Sequence, residues 1–224
     1  MKKIIVFMQW VATFVANILN NLFLSPKAKG LENLYRLAEM KRNSDCSVIF
    51  IANHTNGNDP FAITAFFPAI LKCRIFPINF PTTKDWFQKK WKDWAARLLG
   101  CKPIGEKSIE GVKEVRRLIA SGETVFVFPE GKVSLDGEMS EDRKLLDFMS
   151  KYSDIIVQPI RVQGLYANKD PKDIWDFAAM LRGERRLQVF FGQPFLLPKG
   201  SKIDAMKVIA EIPSAESEIG FAQT

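Results

Sequence analysis

A chain of 224 residues, 47% hydrophobic and 25% charged, can bury one sizeable core, which excludes both general disorder and a polytopic membrane protein. Its net charge of +7 and pI near 9.3 favour an anionic partner, whether nucleic acid, an anionic lipid surface or a phosphorylated substrate. Cys46, Cys73 and Cys101 form no C-x-x-C pair and accompany one histidine, so neither a metal site nor a disulfide framework is expected, but buried thiols in a cytosol-facing protein are.

The N-terminus departs from this average. Residues 4–24, "IIVFMQWVATFVANILNNLFL", carry no charge, and Lys2, Lys3, Lys27 and Lys29 flank them. That length is enough to span a bilayer. Gln9, Thr13, Asn17, Asn20 and Asn21 nevertheless recur at steps of three to four and form one stripe on a helix. Such a stripe predicts a helix lying in the membrane interface, with a spanning helix as the alternative. A cleaved signal peptide fits less well, because a small-x-small cleavage site is not evident.

Beyond it, "CSVIFIANH" (46–54) is a β-branched apolar run that predicts a buried strand. "DPFAITAFFPAI" follows, with Asp59 at a cap position and Pro60 at the first helical position, which predicts a helix. "CRIFPINF" (73–80) reads as a second strand limited by Pro77. Residues 84–100 place Phe87, Trp91, Trp94, Ala95 and Leu98 on one helical face, expected to pack the core rather than meet a membrane. Residues 107–123 predict a helix with Ser108 as its cap and Gly122 past its end. Strands are expected at 124–131, 154–164 and 185–194, and helices at 170–183 and 201–212. The alternation predicts an α/β fold, a single domain with a mostly parallel or mixed sheet covered by helices. Its simplest division is a membrane-associating helix over 1–28, one domain over 29–213 and a polar tail over 214–224.

In sheets of this kind a ligand site lies beyond the carboxyl ends of the strands. Two loops occupy such places. In "NHTNGND", His54 supplies an imidazole, the side chain most often used as a general base, and a carboxylate on one ring nitrogen leaves the other free to accept a proton. The turn formers between them let Asp59 fold back toward His54. Asp59 can equally be only a helix cap, and the glycosylation-like "NHT" at Asn53 is a chance match unless the chain is exported. In "FPEGKVS" (128–134), Gly131 permits close backbone approach, successive N–H groups can form an anion nest, and Lys132 adds positive charge. Glu130 must either accept from ligand hydroxyls or brace the loop, and a plain Pro-Gly turn is the bland alternative.

Taken together, His54 to Asp59 as H-x-x-x-x-D, Phe128 to Gly131 as F-P-E-G and Val157 to Ile160 as V-x-P-I resemble the glycerophospholipid acyltransferases, the lysophosphatidate acyltransferase family. The stretches "VFVFPEGKVSLDG" and "IIVQPIRVQG" look like the acyltransferase domain of 2-acylglycerophosphoethanolamine acyltransferase-type proteins. The resemblance covers roughly residues 45–195. It implies that His54, oriented by Asp59, takes the proton of a lysophospholipid hydroxyl, which then attacks the thioester of an acyl-CoA or acyl carrier protein. It further implies that Glu130 and Gly131 help hold the acceptor; Lys132 and Arg161 are candidate anion contacts beside these motifs, and the cysteine usage with the basic flanks of the N-terminal helix predicts a place at the cytoplasmic face of a membrane. No cofactor, metal or nucleic acid is implied. Members often read E-G-T-R-S, whereas this chain has Glu130, Gly131, Lys132, Val133 and Ser134; "LLGCKPIGEKSIEG" also lacks the arginine common in a second family motif. The acceptor thus stays open. The same dyad also fits a lipid thioesterase or hydrolase, and a non-catalytic lipid-binding protein keeps the same fold.

Overall fold

The computed structural model describes residues 2–24, 26–55, 59–83, 90–104, 109–131, 134, 145–164 and 187–213. The helix expected at 170–183, the start of the one expected at 84–100, Ser108 and the 214–224 tail lie outside them. The chain opens with α1 (Lys2–Phe23), β1 (Lys27–Lys29) and α2 (Leu31–Arg42), then β2 (Ser47–Ala52), α3 (Asp59–Thr64) and α4 (Ala69–Ile75). There follow β3 (Ile78–Thr83), α5 (Lys90–Leu98), β4 (Cys101–Ile104), α6 (Ile109–Ala120) and β5 (Thr124–Val127). The described elements end with α7 (Leu145–Ser150), β6 (Ile155–Gln163), β7 (Gln188–Phe191), β8 (Phe195–Leu197) and α8 (Ala205–Ala210).

The strands form one mixed sheet in the order β1-β7-β6-β2-β5-β3-β4, with β8 beside β6. Strands β2 to β6 run parallel, and β7 and β8 pair antiparallel with the two halves of β6. β2 lies at the centre, where both faces are covered, which is why its sequence is continuously apolar instead of alternating. Phe50 and Phe126 point to one face, against Leu34 and Leu37 of α2 and Ile63 and Leu71 beyond it. Ile49, Ile51, Val125 and Val127 point to the other, against Val115, Leu118 and Ile119 of α6 and Ile209 of α8. The result is the helix-covered sheet expected of an α/β chain.

Three expectations change, the first at the thiols, where Cys73 is exposed. Residues 73–75 finish α4, and the strand begins only at Ile78; "AILKCRIF" is too short an apolar run for its period to separate strand from helix. Trp94 is 67% exposed, while Ala96 is buried, so this part of the aromatic stripe does not pack the core. The polar stripe of α1 faces the protein, an orientation that its spacing left open. Gln9 and Asn20 are buried and donate to main-chain carbonyls of Ile78 and Ala62, while Phe7, Phe14 and Leu22 are exposed. A polar side chain is as well satisfied by protein carbonyls as by water, so periodicity locates the stripe without naming its partner.

At Gly30, which precedes α2 with φ 73°, a Cβ would run into the Phe191 carbonyl oxygen. Glycine supplies both the left-handed conformation and the space, and Asn33 donates to the same carbonyl at 2.8 Å. This junction ties α2 to β7.

Candidate active site

β2 and β5 lie side by side in parallel register, with Ile51 beside Val127, so the loops leaving their carboxyl ends emerge together. Asn53 extends the ladder beyond β2: its side-chain amide donates to Val162 O at 2.9 Å and accepts from Val162 N at 2.7 Å. Buried and used at both ends, that amide is closed to glycosylation. The chain then releases His54 over the sheet end.

Asp59 opens α3, is fully buried, and lies 3.1 Å from His54 Nδ1 through Oδ2. The same oxygen accepts from Thr55 N at 2.6 Å, and Oδ1 accepts from the Thr55 hydroxyl at 3.1 Å. An ionised carboxylate can only accept, which assigns the proton to Nδ1 and leaves Nε2 bare. The imidazole lies flat on Phe128, with centroids 3.9 Å apart and planes 12° from parallel. The His54 side chain keeps 17% of its surface exposed, enough for a substrate atom to approach.

The second loop closes on the first. Gly131, with φ 64°, donates its N–H to Phe128 O at 3.0 Å and completes a tight turn that a residue with a Cβ would adopt only under strain. Glu130 Oε1 accepts from His54 N at 2.8 Å, and Ser134 N donates to His54 O at 2.7 Å. His54, Asp59, Glu130 and Gly131 are therefore brought together. Arg161 is not: its guanidinium donates to Ala210 O at 3.2 Å and Ile212 O at 3.1 Å, at the carboxyl end of α8, a helix packed on the opposite sheet face from Phe128. Lys132 lies outside the described residues. Sequence reasoning missed Thr55 as the bracket of Asp59 and Ser134 as a main-chain contact; the hydroxyl beside His54 was the one signal available for the first, and the second has none.

The arrangement provides a buried carboxylate, an oriented imidazole and a bare ring nitrogen at the mouth of a sheet, which suits proton abstraction from a hydroxyl. The comparisons with known proteins bear on the family and the fold. A family model described as Acyltransferase matches residues 25–163. The chain is 26% identical over 165 residues to chloroplastic 1-acyl-sn-glycerol-3-phosphate acyltransferase LPAT1 of Arabidopsis thaliana, across 70% of this chain and 41% of that protein. It is likewise 26% identical to chloroplastic 1-acyl-sn-glycerol-3-phosphate acyltransferase BAT2 of Brassica napus, across 70% of this chain and 43% of that one. The chain thus spans about two fifths of the length of these curated relatives. The crystal structure of the 1-acyl-sn-glycerophosphate acyltransferase PlsC from Thermotoga maritima shares the fold, with a TM-score of 0.65 at 19% identity over 97% of this chain and 80% of that one. With the family model covering well over half its length, the chain belongs to the acyltransferase family.

Proposed function

We propose that the protein moves a fatty acyl group from the thioester of acyl-CoA or acyl carrier protein to a free hydroxyl of a lysoglycerophospholipid, lysophosphatidate being the first acceptor to test. The observation that carries this reading is the 3.1 Å contact from His54 Nδ1 to buried Asp59, which leaves Nε2 to act. Nε2 takes the hydroxyl proton as the oxygen attacks the thioester carbonyl. The tetrahedral intermediate then expels the thiolate, which recovers the proton from the imidazolium. No covalent acyl-enzyme is required.

Both substrates partition into lipid, and α1 is long and apolar enough to cross a membrane by length and composition. Its hydrogen bonds at Gln9, Asn17 and Asn20 run along the body of the protein, which favours a helix lying against the domain with its apolar side in one leaflet. Lys2, Lys3, Lys27 and Lys29 suit the anionic cytoplasmic leaflet. Purified protein with vesicles, a panel of lysolipids and a labelled acyl-CoA tests the reading: diacyl product formed from one or more lysolipids supports it. Free fatty acid released at a rate indifferent to added lysolipid would instead identify a thioesterase.

A further inference from the structure

The family resemblance makes Glu130 an acceptor contact, yet its carboxylate turns inward. Glu130 is 2% exposed, and Oε1 accepts from the main-chain N–H of His54 at 2.8 Å. Four residues later Ser134 N donates to the His54 carbonyl at 2.7 Å, and Phe128 of the same loop lies against the ring. One loop thus grips His54 by both of its peptide groups and by one ring face, while Asp59 sets the ring's rotation. Misplacing a reacting group by about 1 Å costs on the order of 100-fold in rate, so a carboxylate spent on the backbone of a base acts on the chemical step.

We infer that Glu130 is a positioning residue for His54 and not a ligand of the acceptor's charge or hydroxyls. The inference rests on His54 being the base. Charge and length separate the two roles. In Glu130→Gln the amide oxygen still reaches the His54 N–H, although the negative charge is gone. In Glu130→Asp the charge remains, but the oxygen is withdrawn by about one C–C bond length, roughly 1.5 Å.

Initial rates of the full-length protein on vesicles, with varied lysophosphatidate and saturating labelled acyl-CoA, test this in wild type, Glu130→Gln, Glu130→Asp and His54→Ala. The expected pattern is kcat within about threefold of wild type for Glu130→Gln, and a 10- to 100-fold loss of kcat for Glu130→Asp, with acceptor KM within about threefold in both. A rise of tenfold or more in acceptor KM for Glu130→Gln, or unaltered kinetics in Glu130→Asp, overturns the inference while leaving the base assignment standing. An active His54→Ala protein overturns both.

Discussion

Gln9 pairs with Ile78 as one strand residue pairs with another: its side-chain Nε2 donates to Ile78 O at 2.6 Å, and its Oε1 accepts from Ile78 N at 2.9 Å. A single glutamine on α1 therefore satisfies both main-chain groups of the residue that begins β3. Nε2 also reaches Leu99 O at 2.9 Å, so the helix is joined to two connections of the sheet at one point.

Replacing Gln9 by Leu keeps the volume and leaves a buried N–H and carbonyl without a partner. Leaving such groups unpaired costs about 1–3 kcal/mol, or roughly 2–4 °C per kcal/mol in a domain of this size. A thermal melt of Gln9→Leu is expected to fall by about 2–12 °C. An unchanged melt would mean that α1 contributes nothing to the folded domain.

Lys72 of α4 carries a buried ammonium against α1, donating to Thr13 Oγ1 at 3.2 Å and lying 5.4 Å from the Trp10 ring centroid. Burial lowers its pKa below the ordinary 10.5. Between the depressed folded value and 10.5 the unfolded chain holds more of this proton than the folded one, so Lys72 makes stability rise with pH across that window. Urea melts from pH 7 to 10.5 are expected to show a flatter rise for Lys72→Met than for wild type. Parallel curves would contradict the assignment.

On the other side of α1, Phe7, Phe14 and Leu22 are exposed together on a helix whose polar spine is already engaged. Fully burying each such side chain is worth about 1.5–3 kcal/mol, and 1.4 kcal/mol is tenfold in affinity. The triple variant Phe7→Ser, Phe14→Ser, Leu22→Ser is expected to bind anionic vesicles at least tenfold more weakly in co-sedimentation, with its melt within about 2 °C of wild type. Equal vesicle binding would place the membrane contact elsewhere.

Much of this architecture is legible in residue types. The β-branched runs at 47–52, 124–127 and 155–163 declare central strands, and Asp59 followed by Pro60 declares a helix start. The site was legible as two loops because side-chain chemistry is written in the sequence. What joins the loops was not, since the contacts of Glu130 and Ser134 go to the main chain of His54, which every residue possesses. The partner of the polar stripe on α1 was hidden for a related reason: Gln9 and Asn20 find carbonyls of Ile78 and Ala62, partners brought near by the fold alone. Arg161 shows the converse. Beside a motif in sequence, it is spent on the carbonyls at the end of α8, because neighbours along a strand face opposite sides of a sheet.

The most direct test of the account is the rate of lysolipid-dependent acyl transfer by His54→Ala, measured on protein whose melt and vesicle binding match wild type. A positioned base contributes about 10²–10⁴-fold, so a loss of at least 100-fold is expected, and Asp59→Asn should follow it in the same direction. Transfer by His54→Ala at the wild-type rate would contradict the account.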